Sequence, residues 1–320
     1  MSTNFFSLVE ADILRVEARM RGREPGRQPD LQAAIEHLLG SGGKRIRPVL
    51  ALLTGRMLGG DRQRLITLAA AIELLHTATL VHDDLIDGSL LRRGIPTINA
   101  EWTPAATVLA GDYIFARAAR LAAETDSVAV MQLFAETLAT IVSGEITQMF
   151  SSRGISNREN YDERIYAKTA SMFVLATRAA AILSGGEEQT IQAMHQYGYQ
   201  VGMAFQVIDD ILDFTGEQAT VGKPVASDLR QGLVTLPAIY YHEAHPEDGD
   251  LQAVLRGEYL SNSQIERLVN AIRSSGAVQA AFDEARQSIE RATQALGELP
   301  EGVEWQALHE LAQYTVDREI

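Results

Sequence analysis

The strongest constraint on the fold is the spacing of apolar residues in four long segments, 103–124, 127–150, 158–184 and 186–214. Within them apolar side chains recur every three or four residues, and Ala, Leu, Met and Glu are abundant. Convincing alternation of the kind that marks strands is absent, and the breaks between segments are short and contain Gly or Pro. The sequence therefore predicts a single all-α domain of roughly a dozen helices over residues 1–320.

Composition removes several classes of function. The net charge of −14 argues against a nucleic-acid partner, and the absence of cysteine excludes disulfides and thiolate metal sites. The first twenty residues predict an amphipathic helix rather than a secretory signal, and no uninterrupted apolar run is long enough to predict a transmembrane segment. A cytoplasmic protein is the resulting expectation.

Two clusters of aspartates share one pattern, Asp-Asp-apolar-apolar-Asp. They are Asp83, Asp84, Asp87 and, 126 residues later, Asp209, Asp210, Asp213. On a helix these carboxylates lie within one turn of each other and repel unless cations sit between them. Magnesium prefers oxygen ligands and is typically held by one or two carboxylates together with substrate phosphates. The clusters therefore predict magnesium sites, the alternative being a solvated acidic helix face.

The pair His82-Asp83 leaves a second interpretation open. Metal phosphohydrolases of the HD type use a His-Asp pair with further His and Asp ligands, and His76 lies close by in the sequence. This hypothesis gives the second aspartate cluster no role, which is its weakness.

Basic residues are unevenly distributed between lysine and arginine. Of the 28 Lys and Arg residues only Lys44, Lys168 and Lys223 are lysine. The run GGKRIRP combines a glycine break, three cations and a helix start, with Pro48 near that start, and this combination predicts an anion site. Arg92 and Arg93 follow the first aspartate cluster, so cations accompany the acidic residues along the chain.

Six motifs, taken in order, carry a family resemblance. They are GGKRIRP, HTATLVHDDLIDGSLLRRGIPT, LAGDYIFARA, YAKTA, FQVIDDILDF and GKPVASDLRQGLVTLP, and a weaker match, LHELAQYTVDREI, lies near the C-terminus. Together they resemble the trans-isoprenyl (polyprenyl) diphosphate synthases from about residue 41 to residue 237.

The resemblance implies an all-helical bundle around a deep central cavity, usually a homodimer, and it assigns roles to individual residues. Five aspartates would hold Mg²⁺ ions that bridge an allylic diphosphate: Asp83, Asp84, Asp87, Asp209 and Asp213. Five further residues would contact that diphosphate: Arg92, Lys168, Thr169, Gln206 and Lys223. Four would bind the second substrate, isopentenyl diphosphate: Lys44, Arg47, His76 and Arg93.

The implied reaction is ionisation, condensation and elimination. The allylic diphosphate departs, the isopentenyl double bond attacks the resulting cation, and a proton is lost. The residues assigned to catalysis are Asp83, Asp84, Asp87, Arg92, Lys168, Asp209, Asp210 and Asp213. Closure of the loop 215–232 would exclude water. The family often has Gly-Lys-x-Thr in this loop, whereas Leu233 stands here in place of that lysine, which puts one contact in doubt.

Product length is predicted from the residues one turn before the first cluster. Ala78 and Thr79 are small, and the string HTATLVHDD resembles synthases of long chains, whereas a bulky aromatic would stop growth early. A long all-trans polyprenyl diphosphate is therefore expected, with a geranylgeranyl or farnesyl type of product as the alternative. A deeper residue, Phe134, Leu138 or Met149, could instead form the floor.

Three further alternatives belong to other classes. A non-catalytic subunit of a heteromeric synthase would be expected to lose aspartates or the Arg-Arg pair, which this chain keeps. Terpene cyclases and head-to-head condensing enzymes would not need a second diphosphate site. Peripheral contact with a membrane, where an apolar product would be released, also remains open.

Overall fold

The chain is almost entirely helical, as the apolar spacing predicts. The computed structural model describes residues 5–22, 29–40, 42–92, 94–150, 157–216, 226–297 and 299–318. Its α-helices, in chain order, are α1 Glu10–Arg21, α2 Pro29–Gly40, α3 Ile46–Met57, α4 Arg62–Ile86, α5 Ile98–Glu101, α6 Pro104–Ala123, α7 Val128–Phe150, α8 Arg158–Ile165, α9 Ser171–Leu183, α10 Glu188–Thr215, α11 Ser227–Arg230, α12 Leu236–Ala244, α13 Gly249–Leu255, α14 Asn262–Ser274, α15 Ala277–Leu296 and α16 Val303–Val316.

Two departures from regular α-helix occur beside predicted site residues. A π-helix, Tyr166–Ala170, joins α8 to α9. A small antiparallel hairpin, which the sequence did not predict, pairs β1 Leu91–Arg92 with β2 Ile95–Pro96. The all-α prediction is confirmed, because this hairpin is the one sheet in the described residues.

The chain divides into two compact units. The first comprises Met1–Thr137, Met172–His195 and Glu298–Glu310, and the second comprises Leu138–Ser171, Gln196–Gly297 and Leu311–Ile320. Three of its boundaries fall inside α7, α10 and α16, one falls at the start of α9, and one lies between α15 and α16. The single domain and its central cavity stay predictions.

The first unit is built on α4, a helix that is apolar on nearly all sides. Most of its residues from Leu65 to Leu75 are buried, which is the pattern of a core helix rather than a surface helix. The side chain of Asp61 caps its start by accepting from the Arg64 N–H. Helices α1, α3 and α6 pack against it. This packing fixes the C-terminal end of α4, where the first aspartate cluster lies.

The second unit places α12 against α8, α14 and α15. Helix α14 begins with a capping box formed by Ser261 and Gln264. An ion pair between Arg158 of α8 and Glu284 of α15 also contacts the hydroxyl of Tyr240 on α12. These contacts hold α8, and with it the start of the π-helix.

Two helices are long and apolar enough to be considered as membrane spans, α4 and α7. The apolar window of α4 is 78% buried, whereas that of α7 is 28% buried. Length and composition of one or two helices are weak evidence for a span, because core helices of soluble proteins share them. The absence of a transmembrane segment stays a prediction.

The glycine break before α3 is anchored from inside the first unit. Arg45, the N-cap residue, adopts the left-handed conformation with φ of 48°. Its guanidinium is only 10% exposed, donates to Glu73 at 2.8 Å and Glu17 at 3.2 Å, and reaches the Leu39 carbonyl at 3.2 Å. The interpretation of all three cations of GGKRIRP as anion-binding is therefore wrong for Arg45, which is turned inward to hold α1, α2, α3 and α4 together.

We expect Arg45→Met to lower the free energy of unfolding by about 3–5 kcal/mol, because it leaves the buried Glu73 carboxylate without its cation. The double variant Arg45→Met/Glu73→Leu should regain most of this loss, since no charge is then left buried. Urea unfolding measures both. Arg120→Met, which breaks an exposed pair with Glu124, is the control and should cost about 0.5 kcal/mol or less. An effect of Arg45→Met as small as the control would contradict the anchoring role.

Candidate active site

The first aspartate cluster lies at the C-terminal end of α4. Asp83 is half-buried, Asp84 is 5% exposed, and Asp87 is exposed and caps the helix. A helix carries partial negative charge at this end, so the dipole adds to the mutual repulsion of the carboxylates. The position is unfavourable for acids alone and favourable for acids that bind a cation.

Arg92 on the hairpin is brought directly to this cluster. Its Nε donates to both oxygens of Asp84, at 2.9 and 3.1 Å, and its Nη2 lies 2.8 Å from Oδ1. The hairpin therefore places Arg92, which is predicted to contact diphosphate, against Asp84, the middle aspartate of the cluster. Arg93 lies outside the described residues.

His82 is directed away from a metal role. Its Nε2 lies 3.2 Å from the Val108 carbonyl and 3.6 Å from Asp112, both on α6. A Cβ added to Gly111 would meet this ring at 2.1 Å, so a glycine is needed for α6 to approach so closely. No group of three or more His, Cys, Asp or Glu side chains converges as a metal site in the part of the chain described. The geometry gives the HD-type hypothesis no support.

Three of the four residues predicted to bind isopentenyl diphosphate lie at the start of α3 and on α4, and the fourth, Arg93, lies outside the described residues. Lys44 is exposed, and the guanidinium of Arg47 lies 5.0 Å from the centre of the Phe173 ring. His76 is half-buried, and its carbonyl accepts from the hydroxyl of Thr79 at 2.8 Å. Pro48 stands in the first turn of α3, as predicted. An exposed lysine and a half-buried arginine at a helix start are suited to an anion.

The residues predicted to set product length are unequal in exposure. Ala78 is fully buried and Thr79 is half-buried. Among the alternatives for the floor, Phe134 is 1% exposed, Leu138 is half-buried and Met149 is 60% exposed.

The second aspartate cluster lies in the last two turns of α10, again near the negative end of a helix. Asp209 and Asp213 are half-buried, whereas Asp210 is 3% exposed. The Asp213 carboxylate accepts from the backbone N–H groups of Ser227 and Asp228, at 3.0 and 3.1 Å. These bonds tie the start of α11 to the cluster. Lys223 and the rest of the stretch 217–225, half of the loop 215–232, lie outside the described residues.

An arginine that sequence reasoning missed pairs with Asp209. Arg318 donates from Nη1 to Asp209 at 2.9 Å and from Nη2 to the Phe205 carbonyl at 3.0 Å. Its guanidinium also lies 3.9 Å from the centre of the Phe205 ring, and the side chain is 10% exposed. The motif YTVDREI contains this residue, but the spacing along the chain gave no reason to connect it with α10.

The π-helix carries Lys168 and Thr169. A Cβ added to Gly144 of α7 would lie 2.5 Å from the Ala167 Cβ, so the π-helix packs closely on α7. Lys168 is partly exposed and lies 3.9 Å from Glu145. Local widening of a helix of this kind is frequent at functional sites.

Thr169 is joined to the second cluster through Gln206. The Thr169 hydroxyl donates to Gln206 Oε1 at 2.6 Å, and Gln206 Nε2 donates to Asp210 Oδ1 at 2.8 Å. Tyr161 of α8 donates to the other oxygen of Asp210 at 2.7 Å. Burial and, less strongly, the charge of Asp228 raise the pKa of Asp210 to about 7, although the bonds from Gln206 and Tyr161 oppose the shift.

Comparison with known proteins identifies the family of the chain. The family model described as polyprenyl synthetase matches residues 28–272. The chain belongs to the polyprenyl synthetase family. The resemblance noted in the sequence is thereby confirmed, and the chain is an enzyme of the prenyltransferase type.

Three relatives show the breadth of the similarity. An all-trans-nonaprenyl-diphosphate synthase (geranyl-diphosphate specific) of Rhodobacter capsulatus is 39% identical over 90% of this chain and 89% of its own length. Heptaprenyl diphosphate synthase component 2 of Bacillus subtilis is 34% identical over 98% and 90%. A crystal structure of a Caulobacter crescentus polyprenyl synthase, complexed with calcium and isoprenyl diphosphate, has a TM-score of 0.90 and 35% identity, with 98% of this chain and 97% of that chain covered.

Proposed function

We propose that this polyprenyl synthetase condenses isopentenyl diphosphate with an allylic diphosphate and makes a long all-trans polyprenyl diphosphate. The observation that carries the proposal is the presence of two acidic helix ends, each accompanied by its own cation, together with the exposed Lys44 and the half-buried Arg47 at the start of α3. Hydrolysis or cyclisation needs a place for one diphosphate, whereas condensation needs a second place, which the cations at the start of α3 would supply.

The donor set fits magnesium. Every candidate ligand is a carboxylate oxygen, and Asp83, Asp87, Asp209 and Asp213 are at least partly exposed. Asp84 is the least accessible of the five predicted ligands because it is buried against Arg92. When bound, magnesium would neutralise charge that develops on the departing diphosphate. The calcium complex of the Caulobacter relative supports a divalent ion.

The chain's own residues supply positioning and electrostatic stabilisation. Lys168 and Thr169, on the π-helix, and Gln206, on α10, would bind the allylic diphosphate, with Arg92 and Lys223 predicted to do the same. As the allylic carbon–oxygen bond breaks, the isopentenyl double bond forms the new carbon–carbon bond. The proton lost from the adduct goes to the released diphosphate, so no protein nucleophile takes part. Donors fixed before the reaction stabilise the leaving group at little reorganisation cost.

The reaction can be tested on the purified chain alone. With magnesium, farnesyl diphosphate and labelled isopentenyl diphosphate, we expect extended products whose formation EDTA abolishes. Chromatography of the dephosphorylated products gives their length. A product that stops at about four isoprene units would favour the geranylgeranyl alternative. Phosphate release without extension would instead support hydrolysis. Because the Bacillus subtilis relative is named as a component, activity that requires a second protein would show that a partner subunit is needed.

Product length should respond to the size of residue 78. We expect the series Ala78, Ala78→Leu and Ala78→Phe to give successively shorter products, because a larger side chain one turn before Asp83 narrows the space for the growing chain. Ala78 is fully buried, so overpacking of about 1–3 kcal/mol is also expected and should be followed by thermal unfolding. If the variants fold and their product distribution is unchanged, a residue other than Ala78 forms the floor that limits product length.

We further propose a cytoplasmic homodimer that uses the exposed apolar stripe of α7. Val142, Ile146, Met149 and Phe150 follow one another at helical spacing and are 43, 50, 60 and 84% exposed. The family resemblance supports a second copy of the chain as the occupant. Contact of the same stripe with a membrane is the alternative.

Ile146→Glu should convert the dimer to a monomer, because a buried carboxylate would lack a partner at the interface. Light scattering after gel filtration measures the mass. Leu14→Glu on α1, at an equally exposed isolated leucine, is the control and should leave the mass unchanged. A dimeric Ile146→Glu variant would place the interface elsewhere, and a monomeric wild-type protein that binds vesicles would favour the membrane.

A further inference from the structure

A tyrosine on α8 is buried against the second aspartate cluster although no part of the proposed chemistry requires it. Tyr161 has no exposed surface, and its hydroxyl donates to Asp210 Oδ2 at 2.7 Å. Burial and the Asp210 charge raise the pKa of Tyr161 well above its usual value, so the hydroxyl keeps its proton. The bond therefore has one direction, from tyrosine to carboxylate.

The other oxygen of Asp210 begins a chain of bonds that leads to Thr169. Gln206 donates from Nε2 to this oxygen at 2.8 Å, so its NH₂ group faces Asp210. The amide oxygen of Gln206 is thereby directed at the hydroxyl of Thr169, 2.6 Å away. The orientation of each group in this relay (Tyr161, Asp210, Gln206 and Thr169) is fixed by the one before it.

The two ends of the relay lie on the same stretch of chain. Tyr161 lies on α8, and Thr169 follows it in the π-helix, while Asp210 and Gln206 are one turn apart on α10. The relay thus bonds both ends of the α8–π-helix segment to α10. Arg164, between them, donates to the Val234 carbonyl at 2.7 Å and lies 5.5 Å from the centre of the Tyr161 ring.

We propose that Tyr161 is a positioning residue for the allylic diphosphate, acting through Asp210, Gln206 and Thr169 to hold the π-helix, which carries the exposed Lys168, in the binding geometry. This inference rests on the proposed condensation function. Without the hydroxyl, Oδ2 of a buried carboxylate loses its donor, and the carboxylate can rotate. The amide of Gln206 then loses the partner that fixes its orientation, and Thr169 loses its acceptor.

A tyrosine that only stabilised the fold would behave differently. Tyr241 offers the comparison, because it is also buried in the second unit and its hydroxyl also donates to a carboxylate, Asp248, at 2.9 Å. Asp248 caps α13 and has no bond to the relay. Tyr161→Phe and Tyr241→Phe therefore remove the same kind of bond, one inside the relay and one outside it.

The first experiment compares kinetics of these two variants. For Tyr161→Phe we expect the KM for farnesyl diphosphate to rise about tenfold, as is typical when a supporting hydrogen bond is removed, with the KM for isopentenyl diphosphate changed less than about twofold. Tyr241→Phe should leave both constants as in the wild type. Thermal unfolding should show a loss of stability for both variants, the smaller one for Tyr241→Phe because Asp248 is more accessible to water than Asp210. Equal effects on both KM values, or none on either, would overturn the proposal.

A double-mutant cycle provides a readout that does not depend on turnover. The binding of farnesyl thiolodiphosphate, an analogue whose sulfur linkage ionises poorly, is measured by calorimetry for Tyr161→Phe, Thr169→Val and the double variant. If the relay carries the effect, Tyr161→Phe should weaken binding about tenfold in the wild type and less than about threefold when Thr169 is already valine. Additive effects would overturn the relay.

Loss of the condensation function and loss of the Tyr161 role would give different results. A wild-type preparation that binds the analogue but makes no extended product would remove the proposed function. Full extension by the wild type together with wild-type kinetics for Tyr161→Phe would remove the role of Tyr161 alone.

Discussion

Repulsion among carboxylates at helix ends is the constraint on which the rest of the site depends. Each cluster stands where the helix dipole is already negative, and like charges one turn apart destabilise a helix. Arginine side chains and backbone N–H groups of the protein itself offset part of this repulsion. Arg92 neutralises Asp84, Arg318 neutralises Asp209, and two backbone N–H groups bind Asp213. The carboxylates are thus held in place before any metal or substrate arrives.

The two clusters resemble each other in burial as well as in sequence. In both, the second aspartate is buried and bonded to the protein, whereas the first and the last are more accessible. Asp84 is fixed by an arginine, and Asp210 is fixed by a tyrosine and a glutamine. The repeated pattern therefore combines two tasks. The middle aspartate anchors the helix end to its surroundings, and the flanking aspartates are the more accessible ones.

Helices and motif positions were predictable from the sequence, because both depend on residues close together in the chain. Helices α6, α7 and α10, and the run from α8 to α9, begin and end within a few residues of the predicted segments. The pairings within the site were not predictable. Asp210 and Tyr161 are separated by 49 residues, and Asp209 and Arg318 by 109. Spacing along a chain says nothing about such partners, because only tertiary packing brings them together.

Within the single motif GGKRIRP, the partners of Arg45 were likewise not predictable from the sequence. Lys44, Arg45 and Arg47 read alike in sequence as cations at a helix start, yet a left-handed backbone at Arg45 turns its side chain into the core. A non-glycine residue in this conformation is strained by about 1–2 kcal/mol, and two glutamates and a carbonyl compensate. Lys44 is left exposed beside it. Arg45, which anchors the loop, and Lys44, which is exposed, are therefore neighbours in the chain. Their different environments follow from the backbone angle at Arg45 rather than from side-chain chemistry.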